Sequence, residues 1–116
     1  MKVECLREKL LNALSKVERA TGKNLSLPVL SNILLEAKDN NLIIKSTNLD
    51  LGVEIKISTK QKEEGIVAIP GSVLISFLSQ ITKEKNIILE KEGSTLLVKT
   101  NSVFIKIKTT SYEYFT

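Results

Sequence analysis

Apolar positions in this chain follow two rhythms, a helical one near the start and again in the middle, and an alternating one almost everywhere else. Residues 2–6 suit a short strand. Helical spacing then begins at once, with Leu6, Leu10, Leu14 and Val17 recurring at i, i+4, i+8 and i+11. With those residues on the core side, Lys9, Asn12, Lys16 and Arg19 form a stripe on the outer face, and Glu8 and Glu18 lie to one side of it. Gly22 is a natural C-terminal stop, and Lys23 and Asn24 follow in an exposed loop before Pro28.

From residue 25 to residue 57 the rhythm is that of strands. Ile33, Leu35 and Ala37 alternate, Asp39-Asn40-Asn41 is turn chemistry, and Leu42-Ile43-Ile44 resumes a strand. After a turn at Thr47-Asn48-Leu49-Asp50, the residues Leu51, Val53, Ile55 and Ile57 face one way and Gly52, Glu54, Lys56 and Ser58 the other. The polar run 59–64 reads as a surface connection closed by Gly65.

The pattern then starts again. Ile66-Val67-Ala68-Ile69 is a strand, Pro70-Gly71-Ser72 a helix entry, and Leu74, Phe77, Leu78 and Ile81 a second helical core face. Three more strands follow at 87–89, 96–98 and 103–107, with Glu92-Gly93 and Asn101-Ser102 as the turns between them. The organisation is strand, helix, three strands, twice over. Two amphipathic helices stay dry on their apolar faces only by packing on a common sheet system. The expectation is a single α+β domain over 1–116, with both helices on one side of largely antiparallel sheet.

Composition narrows the chemistry. The chain has 116 residues, 42% of them hydrophobic and 26% charged, and a formal net charge of +4, a modest lean towards anionic partners such as nucleic acid. There is no histidine, which removes the usual general base and zinc ligand. Cys5 is the one cysteine, so no internal disulfide and no thiolate metal site can form. Asp39, Asp50, Glu54 and Glu113 fall in separate turns and strands with no paired spacing for metal or acid–base work, and Ser72, Ser76 and Ser79 have no histidine to activate them. Neither catalysis, a metal nor a cofactor is expected. No apolar run reaches membrane-spanning length and the first residues are charged, so a cytoplasmic location and no membrane partner are expected.

Two stretches carry a resemblance. Residues 27–37, Leu-Pro-Val-Leu-Ser-Asn-Ile-Leu-Leu-Glu-Ala, and 46–51, Ser-Thr-Asn-Leu-Asp-Leu, resemble the N-terminal domain of bacterial sliding clamps, the beta subunit of DNA polymerase III. The likeness runs from Met1 through Arg7-Glu8-Lys9-Leu10-Leu11 and Ala68-Ile69-Pro70 to Glu113-Tyr114, in one register. It implies a DNA-clamp domain, with second and third domains absent from this chain. In such clamps two three-domain subunits close a homodimeric ring around double-stranded DNA, helices lining the hole. The ring tethers the replicative polymerase during DNA replication without reading sequence. The pocket for polymerase and clamp-loader peptides lies in domains absent here. The chain differs from the family in ending Glu113-Tyr114-Phe115 without a proline. It also differs in its second helix, where Ser72, Ser76, Ser79 and Gln80 face outward and Lys83 is the nearest charge.

By that resemblance the DNA-contacting set is Lys9, Asn12, Lys16, Arg19 and Lys23, while Arg7, on the flank near Glu18, is structural. From spacing alone an ordinary solvated helix face explains the stripe as well. The resemblance also maps a subunit interface onto Val73, Ser76 and Phe77 of the second helix and onto Val103, Phe104 and Lys106 of the last strand. The alternative reading is a non-enzymatic α+β module that dimerises through the 103–106 edge, its basic surface incidental.

Overall fold

The computed structural model describes residues 1–21, 32–47 and 52–110. Two helices and nine strands follow the order β1 (Lys2–Leu6), α1 (Arg7–Thr21), β2 (Asn32–Lys38), β3 (Asn41–Thr47), β4 (Gly52–Ser58), β5 (Lys60–Glu63), β6 (Gly65–Pro70), α2 (Gly71–Gln80), β7 (Asn86–Glu92), β8 (Thr95–Lys99) and β9 (Phe104–Lys108). The antiparallel sheet comes as two, one of five strands in the order β5-β1-β7-β8-β9 and one of four in the order β4-β3-β2-β6. The doubled strand–helix–three-strand unit is therefore present, with one strand added between its halves.

That added strand corrects the reading of 59–64 as a plain connection. Lys60 to Glu63 pairs with β1 along Lys2↔Glu63, Val3↔Gln61 and Glu4↔Lys60. It is an edge strand, and its sequence, Lys-Gln-Lys-Glu, has the polar character that guards an edge against stray pairing. The β2–β3 hairpin tip holds it from the other side. Asp39 and Asn40 adopt φ of 53° and 60°, the two left-handed residues of a type I′ turn. Asn40 then accepts the Thr59 N–H on its carbonyl at 3.0 Å and exchanges hydrogen bonds with Gln61. No hydrophobic rhythm announces a strand held by such polar contacts.

One core serves both sheets and both helices. The inward rows run Val3–Leu89–Val98–Ile105 across one sheet and Val67–Leu35–Ile44–Ile55 across the other. From α1 they meet Leu10, Ala13, Leu14 and Val17, and from α2 Leu74 and Leu78, with Phe77 and Ile81 packed at the margin. Each fully buried Leu or Val adds roughly 1.5–3 kcal/mol, so α1 is held by its apolar stripe. Leu6 departs from the helical reading. It is the last residue of β1 and stays 45% exposed, because the helix begins one residue later.

Two close approaches fix the joints. Gly65 opens β6 against the chain start, where a Cβ would lie 2.7–2.9 Å from Met1 atoms. Gly93, at φ 61°, makes the β7–β8 turn. Gly22, Lys23, the 25–31 segment, the turn at 48–50 and Glu113 to Phe115 lie outside the described residues.

A candidate nucleic-acid interface and a candidate subunit edge

The outer face of α1 carries Lys9, Asn12, Lys16 and Arg19, all exposed. With 1.5 Å of rise per residue the stripe is roughly 15 Å long. Neither the lysines nor Arg19 joins an ion pair with another described residue. Glu8 is in the first turn and Arg19 in the last, each at the end of the helix dipole that suits its charge. Lys23 lies outside the described residues.

Arg7 is built into the structure rather than offered to a ligand. Its Nε donates to the Glu84 carbonyl at 3.1 Å and a terminal nitrogen donates to the Leu78 carbonyl at 2.9 Å. Its backbone N–H donates to the Lys85 carbonyl at 2.8 Å. Leu78 is in the last turn of α2, where carbonyls have no helical partner, so a cation there both caps the helix and meets the negative end of its dipole. The flank position near Glu18 gave no hint of these partners, which come from the other half of the chain.

The second candidate surface combines α2 and β9. Ser102, in the β8–β9 turn, donates to the carboxylate of Glu84 just past α2, and Thr110 N–H donates to the Ala68 carbonyl, just before α2, at 2.8 Å. These two contacts lay β9 alongside α2, running the opposite way. Of the candidate interface residues, Val73, Ser76 and Phe77 lie on α2, while Phe104 and Lys106 lie on β9, alternating with the core-facing Ile105 and Ile107. The strand begins at Phe104, one residue later than its alternation suggests. It is the edge of its sheet. Val73 is 46% and Phe104 52% exposed, and Ile75 and Phe77 are half-buried against the core.

Phe104 does not stand alone. The Lys99 and Lys106 ammonium groups lie 5.8 and 6.0 Å from its ring centroid, within cation–π range. Lys99 also reaches Glu90 at 2.9 Å, and Lys2 approaches the same carboxylate at 3.9 Å. The hydrogen bond from Lys99 holds the Glu90 carboxyl below its ordinary value, helped by the charges of Lys2 and the N-terminus and opposed by partial burial.

The chemistry elsewhere is quiet. Burial, with the nearby Glu4 charge adding to it, pushes the Cys5 thiol up to about 12, so this thiol is not a nucleophile at neutral pH. Among the described residues, Cys, Asp and Glu nowhere gather in a metal-binding group, and no helix is long and apolar enough to cross a membrane.

A family model for the N-terminal domain of the DNA polymerase III beta subunit matches residues 1–116. The chain belongs to that family. The beta sliding clamp of Proteus mirabilis is 30% identical over 100 residues, covering 85% of this chain and 27% of the relative. That of Helicobacter pylori strain J99 is 29% identical over 108 residues, covering 92% and 29%. Among solved structures, an H. pylori beta clamp bound to a DNA ligase peptide superposes with a TM-score of 0.89 at 28% identity, over all of this chain and 32% of that one. The Pseudomonas aeruginosa DNA polymerase III subunit beta does so with a TM-score of 0.91 at 26% identity and the same coverage. The chain thus spans less than a third of the length of these beta clamps, and it has the fold of their domain.

Proposed function

We propose that this chain works as the first domain of a DNA-polymerase processivity clamp, one segment of a two-subunit ring around duplex DNA. In this reading it is a cytoplasmic, non-catalytic accessory part. Helix α1 faces the DNA through Lys9, Asn12, Lys16 and Arg19, and Lys23 belongs to the same set. The side formed by α2 and β9 meets the other subunit through Val73, Ser76, Phe77, Val103, Phe104 and Lys106. The replicative polymerase and the clamp loader dock on domains outside these 116 residues.

The observation that carries the proposal is the exposed stripe of α1, three cations without ion-pair partners among the described residues, on a clamp-family domain. A duplex carries one phosphate charge per ~1.7 Å of axis, so ~15 Å of it presents about nine. Three cations neutralise only part of that charge, which gives weak attraction without a fixed register. Lysines on flexible stems serve a sliding ring better than bidentate arginine contacts to bases would.

The competing reading is a homodimer through β9. An antiparallel β9–β9 pair centred on Ile107 would set Lys106 of each copy opposite Lys108 of the other, and like charges in cross-strand positions oppose pairing.

Anisotropy titrations with two duplexes of unrelated sequence test the assignment. Both should bind weakly and equally, with a salt slope of magnitude about 3 or more, since each of the three stripe cations that contacts a phosphate contributes about −0.9. Lys9→Gln, Lys16→Gln and Arg19→Gln together should flatten that slope. Unchanged binding by the triple variant would remove α1 from the DNA-facing role.

A further inference from the structure

Two clefts meet at the start of α1, and they share Leu6 and Lys9. One, of about 590 Å³, lies against the segment after α2 and includes Arg7, Asn12, Thr82 and Lys85. The other, of about 420 Å³, lies against the β4–β5 corner and includes Ser58, Thr59, Lys60 and Asn86. We propose that Lys60 and Lys85 extend the phosphate-contacting surface beyond the helix, with Lys9 as the cation between them. The inference rests on the duplex-DNA reading above and adds two residues to it.

Both lysines are anchored by backbone that cannot drift from α1. The Lys85 carbonyl accepts the Arg7 N–H at 2.8 Å, and Lys60 stands opposite Glu4 on the β5–β1 ladder. Lys9, Lys60 and Lys85 are all exposed, and none of them forms an ion pair among the described residues.

Three carboxylates line the same clefts, Glu4, Glu8 and Glu84. The Glu84 carboxylate accepts the Ser102 hydroxyl, which fixes its position but leaves its charge, and the Arg7 guanidinium beside it is committed to the Leu78 and Glu84 carbonyls. Against these carboxylates stand Arg7 and three lysines that form no ion pair among the described residues, with neutral donors beside them. One of these, the buried Thr59 hydroxyl, has no hydrogen-bond partner among the described residues.

The arrangement suits a polymer of phosphates better than a single small anion. From Lys85 through Lys9 to Lys60 the cations come from three different elements, and α1 continues the track through Asn12, Lys16 and Arg19. A small anion needs donors that converge on one point. A backbone needs charges spaced along a path, and the half-exposed Leu6 between the clefts leaves an apolar surface for the sugars.

The test is a low-salt NMR titration of the chain with a mixed-sequence duplex, paired with salt-slope measurements on three double variants. These are Lys60→Gln with Lys85→Gln, Lys16→Gln with Arg19→Gln, and Lys38→Gln with Lys91→Gln as a charge-matched control elsewhere. The amides of 58–60 and 84–86 should shift together with those of α1. The first variant should lower the magnitude of the slope by about two, one for each lost phosphate contact, and the control by clearly less. If α1 shifts and its variant weakens binding while Lys60→Gln with Lys85→Gln behaves as the control, the extension is wrong and the DNA reading stands. A native chain that shows no shifts with duplex overturns both.

Discussion

Arg7 ties the start of α1 to the end of α2, and it shows how a charge that looks available can be fully engaged. Hydrogen bonds from a charged donor contribute more than neutral ones, so Arg7→Ala should destabilise the chain by about 2 kcal/mol in urea unfolding. Arg7→Lys should recover only part of this, because a point charge cannot serve two carbonyls as the guanidinium fork does. Glu90 is the other instructive residue. Folding lowers its pKa, so its stabilisation is present above the ordinary carboxylate range and is lost as pH falls through the folded-state value. Glu90→Gln should therefore lower the melting temperature at neutral pH by a small amount, as expected for a half-exposed pair, and the two proteins should converge in acid. The sequence made Leu10, Leu14 and Val17 legible as core because their spacing has one physical cause. It could not show Arg7's partners, which lie 71 and 77 residues away, nor that Leu6 belongs to the strand before the helix.

At the scale of elements, the amphipathic helices and the alternating strands were readable, since burial of one face imposes the period directly. Strand β5 was not. Its residues obey no apolar alternation, and what makes it a strand is a free β1 edge on one side and Asn40 on the other. The candidate site divides the same way. The α1 stripe follows from the helix period, whereas the ties between the flanks of β9 and those of α2 rest on the Ser102–Glu84 and Thr110–Ala68 contacts, which no local pattern announces. Strand β9 also supplies a prediction of its own. As an edge strand with Lys106 and Lys108 exposed, it should resist pairing with another copy. Sedimentation should find the chain monomeric, and Lys106→Thr with Lys108→Thr should drive self-association. A tight dimer of the native chain would support the homodimer reading instead.

Across the whole molecule, the basic helix α1 and the lysine-flanked edge strand β9 are tied through the segment that Arg7 and Glu84 share. In the proposed ring, retention on DNA would come from closure, with weak contacts that permit movement. The central claim is that this domain can take its place in such a ring. The direct test exchanges it for the N-terminal domain of the H. pylori beta clamp and follows the chimaera on circular duplex DNA before and after the circle is cut. The account predicts a dimeric protein that stays on the closed circle and is lost once ends are available. A folded, dimeric chimaera that leaves closed and cut DNA at the same rate would contradict it.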